Sequence, residues 1–209
     1  MGQMAGRAVA AARSAFSFQG PRIAGRGLKG KGQRRIRRAV SEAFRGEFYQ
    51  KVDGKARVSI PAAFRRILDG EDPETIESPR TRIVLIYGGK SRNFVECYSK
   101  AGADALARDI EAMPQGEKPR LRAERELITQ SATIEIDEDG RIVLPPKVRE
   151  KMGFAPDDLS GGAEAAFAGA TNRFKLYRRD VYDAELAQDD EDDDGSDVLA
   201  LVSKHKTGA

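Results

Sequence analysis

Asp53-Gly54-Lys55-Ala56-Arg57-Val58-Ser59-Ile60-Pro61-Ala62-Ala63-Phe64-Arg65 returns as Asp137-Glu138-Asp139-Gly140-Arg141-Ile142-Val143-Leu144-Pro145-Pro146-Lys147-Val148-Arg149. Each copy reads Asp, then Arg four residues on, a short apolar run, Pro, and another Arg four residues past the Pro. Every matched position is displaced by 84. A duplication that keeps its register encodes one structural unit twice, so it governs the reading of everything around it.

Local chemistry gives each copy a shape. Phe48 to Val52 and Thr133 to Ile136 mix apolar and polar residues as half-buried strands do. Asp53-Gly54 and Asp139-Gly140 read as hairpin dipeptides, because Gly accepts the positive φ of a tight turn. Short second strands follow, Arg57 to Ile60 and Arg141 to Leu144. Pro61 and Pro145 then stop the ladder, having no N–H to donate, and suit the entry of a helix. Ala62 to Leu68 and Pro146 to Met152 continue as those helices. Asp53 and Asp137 can accept backbone N–H bonds within their turns or pair with Arg57 and Arg141. The unit is strand, turn, strand, short helix.

Between the copies, Leu106, Ile110 and Met113 fall at helical spacing within Ala103 to Met113, and Leu121, Leu127 and Ile128 mark Arg120 to Ile128. Met113-Pro114-Gln115-Gly116-Glu117-Lys118-Pro119 separates them and is the best internal boundary. Strands are expected at Phe94 to Tyr98, Glu164 to Ala168 and Arg173 to Tyr177, and a helix from Arg179. The apolar stripes read as core or subunit interface, with a ligand groove as the sharper alternative.

Phe44-Arg45-Gly46-Glu47-Phe48, the two Asp-x3-Arg blocks and Gly169-Ala170-Thr171-Asn172-Arg173-Phe174, in that order, resemble the MraZ family of bacterial transcription regulators. The resemblance runs from about Phe44 to about Tyr182. It implies a β-rich α+β fold of two tandem AbrB/SpoVT-like, barrel-type units with short helices, related by a pseudo-two-fold within the protomer. The units would span residues 44–113 and 114–182, and protomers would assemble into a ring-shaped homo-oligomer. It further implies binding to double-stranded DNA at short promoter repeats, repressing the chain's own division and cell-wall gene cluster, in the cytoplasm and nucleoid. Lys55, Arg57 and Arg141 are the expected DNA contacts and Arg45 a phosphate contact, with Asp53, Asp137, Pro61 and Pro145 as structural motif residues. The family usually has Gly just before the first motif Arg; here Ala56 stands there and Gly54 comes two residues earlier. The first turn is therefore expected one register away from the second.

Composition agrees with small units. The 139 residues from Phe44 to Tyr182 divide into two units of about 70, each with a thin core of its own, which favours packing together and oligomerisation. One cysteine, Cys97, excludes an intramolecular disulfide and fits a reducing compartment, and it reads as a small strand residue. No apolar run reaches the roughly 18 residues of a membrane span.

Charge is segregated. Residues 1–43 carry ten Lys/Arg against Glu42, residues 44–182 are nearly neutral, and residues 183–209 carry nine acids against two lysines. Such asymmetry often accompanies nucleic-acid partners. The first 43 residues read as a disordered basic extension with the flavour of a transit peptide. They are read as a gene-model extension ahead of a start near Val40, with an arm adding non-specific DNA affinity as the alternative. Gly25 to Gly30 imitates a dinucleotide loop and Gly25 to Gly32 a phosphate loop, but no strand precedes them and Gly32 replaces the magnesium-binding Ser or Thr. The tail from 183 reads as acidic and disordered; Asp190 to Gly195 imitates a calcium loop, but its twelfth position is Leu201 where Glu is needed.

Catalysis needs converging nucleophile, base or metal ligands. One cysteine and one histidine, His205 near the end of the chain, do not supply them, and the turn aspartates each have their own arginine. The chain is read as a binding module rather than an enzyme, with no catalytic, metal or cofactor site and no membrane partner. An AbrB-like antitoxin subunit and a non-specific nucleoid-binding protein are the alternatives. The sequence does not choose between the two roles of Arg57 and Arg141, DNA contact and turn-stabilising pair, which can coexist.

Overall fold

The computed structural model describes residues 42–72, 80–192 and 195–206. The basic segment with its glycine-rich imitations and the Val40 start lies outside them, as do Asp193 and Asp194 of the acidic run and the side chain of His205. The elements are β1 (Glu47–Lys51), β2 (Arg57–Ser59), α1 (Ala62–Glu71), β3 (Arg82–Ile86), β4 (Val95–Ser99) and α2 (Lys100–Glu111). There follow α3 (Lys118–Ala123), a π-helical segment Glu124–Thr129, β5 (Ser131–Glu135), β6 (Arg141–Val143), α4 (Pro146–Met152), α5 (Pro156–Ser160), β7 (Glu164–Ala170), β8 (Arg173–Arg178), α6 (Arg179–Glu191) and α7 (Val198–Lys206). The order β-β-α-β-β-α thus occurs twice, the second time with α5 added after α4. β1 and β5, and β2 and β6, keep the 84-residue displacement of the sequence. By the ends of β4 and β8, Ser99 and Arg178, it has fallen to 79.

The protein is α+β and strand-rich, with every strand pair antiparallel. Barrel-type units were expected; the described residues form instead an open six-stranded sheet, ordered β1-β7-β8-β4-β3-β5, and a two-stranded ribbon, β2-β6. Strands of the two copies interlock: β1 pairs with β7, β3 with β5, β4 with β8 and β2 with β6. Exchanging each strand for its counterpart in the other copy leaves the sheet order unchanged, read from the opposite edge. The physical reason for interlocking is core size, since one copy alone has too little apolar surface to close around.

The period of two in the central strands sorts their side chains between two faces. Ile83, Leu85, Val95, Cys97, Ala165, Phe167, Phe174 and Leu176 enter the main core. There they meet Val58, Ile60, Ile142 and Leu144 of the ribbon and Phe64, Leu68, Val148 and Met152 of α1 and α4. Phe44, Phe64 and Phe174 form its aromatic centre, ring centroids 4.9–5.3 Å apart. On the opposite face Val84, Ile86 and Tyr98 pack under Leu106 of α2 and Leu127 of the π-helical segment, and Ala166, Tyr177 and Tyr182 form a third cluster at α6. The stripe on α2 is therefore core in part: Ile110 is buried and Leu106 half-buried.

One further difference from expectation has a local cause. β3 was not anticipated; it is buried on both faces, so Ile83 to Ile86 shows no alternation. The first residues past 182 extend α6, and the last described ones form α7. Among the described residues no helix is long and apolar enough to cross a membrane.

Candidate nucleic-acid interface

Each motif Asp builds its turn from within. Asp53 Oδ1 accepts the backbone N–H groups of Lys55 and Arg57 at 2.9 and 2.8 Å, and Oδ2 accepts Arg57 Nε at 2.7 Å. Asp137 Oδ1 accepts those of Asp139 and Arg141 at 3.0 and 2.8 Å, and Oδ2 accepts Arg141 Nε at 3.3 Å. The backbone closes identically, with Ala56 N–H to Asp53 carbonyl and Gly140 N–H to Asp137 carbonyl. These donors hold both aspartates below the ordinary carboxylate range, the Arg57 and Arg141 backbone N–H bonds being the largest cause. Asp137 in turn raises the Arg141 guanidinium.

The expected register shift of the first turn does not occur. Ala56 and Gly140 occupy the same left-handed position, φ 58° and 75°, while Gly54 has no positive φ. The hydrogen bonds of Asp53 set the register, and Ala56 accepts the unfavourable backbone; reading Asp53-Gly54 as the hairpin dipeptide is corrected accordingly. Gly140 could not take the same substitution freely, because an added Cβ would lie 2.0 Å from Arg65 Nη1.

The ribbon clamps the turns to each other. Arg57 is registered with Val143 and Ser59 with Arg141. Ile60 N–H donates to the Gly140 carbonyl and Leu144 N–H to the Ala56 carbonyl, both at 2.9 Å. Each copy's turn is thus held by the residue that ends the other copy's strand. Pro61 and Pro145 follow immediately, accepting the first helical N–H bonds of α1 and α4.

Of the four expected contact residues, Lys55, Arg57 and Arg141 come together on this ribbon and its turns. Arg45 does not: it is exposed at the opposite end of β1, beside the β7–β8 turn. Arg57 spends one nitrogen on Asp53, leaving both terminal nitrogens of its half-exposed guanidinium unbonded. Arg141 gives Nε to Asp137 and Nη2 to Asp139. Lys55 is exposed and makes no ion pair. The structural role of both arginines is therefore present, and only in the first copy does it leave the guanidinium largely available.

Two residues were missed as functional candidates. Arg65 and Arg149, the second Arg of each motif copy, each bury Nε with no hydrogen-bond partner and make no ion pair. Buried polar atoms are nearly always satisfied, which sets this repeat-matched pair apart, and the Arg65 side chain lies against the second-copy turn at Gly140. Their spacing in the sequence was visible; their unsatisfied burial was not.

The described residues hold no group of three or more His, Cys, Asp or Glu placed to bind a metal. What they present is an interlocked, duplicated α+β protein displaying one clamped turn from each copy on a shared ribbon. Its relatives identify the family. No protein-family model matches the chain. It is 50% identical over 167 residues to "Transcriptional regulator MraZ" of Cereibacter sphaeroides, 79% of this chain and 98% of that protein. To the MraZ regulators of Ruegeria sp. and Saccharophagus degradans it is 38% and 30% identical, covering 86% and 98% of those proteins. The chain belongs to the MraZ family of transcriptional regulators.

Proposed function

We propose that this regulator binds double-stranded DNA through the first-copy turn, as a ring-shaped homo-oligomer that engages short repeats upstream of its own division and cell-wall gene cluster and represses it. Each half would act as an AbrB/SpoVT-like unit, and the protein would work at the nucleoid. The observation that carries the reading is Arg57. Its orientation is set by Asp53, its terminal nitrogens are free, and Lys55 stands exposed beside it. A guanidinium fixed in this way suits bidentate bonding to a phosphate or to a guanine edge. Arg65 would add a backbone contact, since phosphates position a protein while base edges specify the sequence. In the second copy Asp139 occupies the place of Lys55 and takes an Arg141 nitrogen. The field there is unfavourable to DNA, so the second turn is mainly architectural. Arg45 would reach only DNA that runs along β1.

The test compares Arg57→Ala with Arg141→Ala in gel shifts against the DNA upstream of the gene. Arg57→Ala is expected to abolish binding at moderate salt with the melting temperature nearly unchanged. Several protomers contact successive repeats, so one lost contact per protomer multiplies through avidity. Arg141→Ala should weaken binding far less. Lys55→Ala should flatten the dependence of affinity on salt, as loss of a phosphate contact does. Normal binding by Arg57→Ala, or loss of binding only through unfolding, would overturn the assignment.

A further inference from the structure

The two copies differ most where β3 joins β4. That connection has eight residues, Tyr87 to Phe94, whereas its counterpart between β7 and β8 has two, Thr171 and Asn172. The longer loop folds against α4, and between them lies a cavity of about 440 Å³, within the range of small-molecule sites. Four cationic side chains line it, Lys90 and Arg92 from the loop and Lys147 and Lys151 from α4, against one carboxylate, Glu150.

Little neutralises these charges. Lys147 pairs with Glu150 at 3.1 Å, but both side chains are about 70% exposed, and such pairs hold little charge in place. Arg92 donates to Glu96 at 2.8 Å, but Glu96 also accepts from Arg173, so one carboxylate serves two guanidiniums. The Lys151 ammonium donates to the Gly89 carbonyl, a neutral acceptor that ties α4 to the loop. Lys90 is exposed and makes no ion pair. Burial, and next the nearby Arg92, pull the Lys151 ammonium below its ordinary value, with Glu126 close by acting in the opposite sense.

We propose that this cavity is a binding site for a small molecule carrying a di- or triphosphate group. A multiply charged oxyanion is the ligand that converging ammonium groups and a guanidinium recognise. The asymmetry argues against a DNA phosphate as the occupant: both copies have the ribbon turns, but only the long loop of one copy and α4 of the other make this cavity. It is built from what the repeats do not share.

The test uses inorganic pyrophosphate as the probe and calorimetric titration of the full chain at constant ionic strength, with sulfate as the competing singly phosphate-like ion. Saturable binding of pyrophosphate is expected, weakened at least about tenfold in Lys90→Glu/Lys147→Glu. Both sites are exposed, so the variant should fold, which circular dichroism verifies. Arg57→Ala, outside the cavity, should bind pyrophosphate as the parent does, and this separates the site from the DNA reading. The proposal is overturned if pyrophosphate does not saturate the parent, if sulfate binds as well, or if the charge-reversed variant binds equally. It is also overturned if the charge-reversed variant loses DNA affinity while keeping pyrophosphate.

Discussion

At the scale of single residues, the two turns offer an internal comparison. Gly140 combines φ 75° with the Arg65 side chain lying where a Cβ would be. Gly140→Ala should therefore cost about 1–2 kcal/mol from backbone handedness alone, and more where Arg65 has to move. For a chain of this size each kcal/mol lowers the melting temperature by roughly 2–4 °C, which calorimetry resolves. Ala56→Gly is a different case. Relief of the left-handed alanine is set against loss of a buried methyl worth about 0.8 kcal/mol, so the net change should be small. Asp72 supplies a prediction about pH. Its carboxylate, only 2% exposed, accepts Arg82 Nη2 at 2.7 Å and Nε at 3.0 Å, and the Arg82 backbone N–H at 2.7 Å. The Arg82 side chain is the largest cause holding it below the ordinary value of 3.8. A depressed carboxylate stabilises the fold above its unfolded value, and that contribution is lost as pH falls through the folded one. Stability measured by urea unfolding should fall as pH drops below about 4, and Asp72→Asn should be less stable at pH 7 with a shallower acid dependence.

At the scale of elements, close backbone approach decides what packs where. The start of the β3–β4 loop touches the π-helical segment so closely that a Cβ on Gly88 would lie 1.9 Å from the Glu126 carbonyl oxygen. No side chain can rotate away from that contact, because both partners are main chain. Gly88→Ala should thus displace the segment and destabilise the protein by about 1–3 kcal/mol, the usual cost of overpacking. Hydrogen exchange should show the loss first in residues 124–130, and an unchanged exchange pattern would refute the packing argument. The elements were largely legible in the sequence. Pro146 to Met152 was read with its observed bounds, and most strands within one or two residues. β3 was not, because a strand buried on both faces loses the alternation by which strands are recognised. The π-helical continuation of α3 was not distinguished in the sequence, since its hydrogen bonding leaves no distinct apolar spacing.

At the scale of the whole molecule, interlocking has a measurable consequence. Among the described residues of 44–113 the one pair of named strands is β3–β4, with a single bridge Val52–Val58; β1, β2 and the outer side of both β3 and β4 find their partners in the second copy. A fragment of residues 44–113 should therefore remain unfolded alone, and mixing it with residues 114–209 should restore strand content in circular dichroism. Cooperative unfolding of the isolated fragment would mean that each copy is a domain in its own right.

What the sequence by itself determined is local and repeated. It contained the two turns, the residues Asp53, Arg57, Asp137 and Arg141 that close them, the helices after Pro61 and Pro145, and the family to which the chain belongs. Each of these depends on neighbours within about five residues or on a register that duplication preserves. Only the tertiary structure decided that the strands interlock, that Ala56 takes the left-handed position, and that Arg65 of α1 reaches the turn of the other copy. The interlocking and the reach of Arg65 depend on contacts between residues some 45 or more positions apart. Strand alternation says which face is buried, whereas the choice of partner strand depends on the free energy of closing one core from both copies.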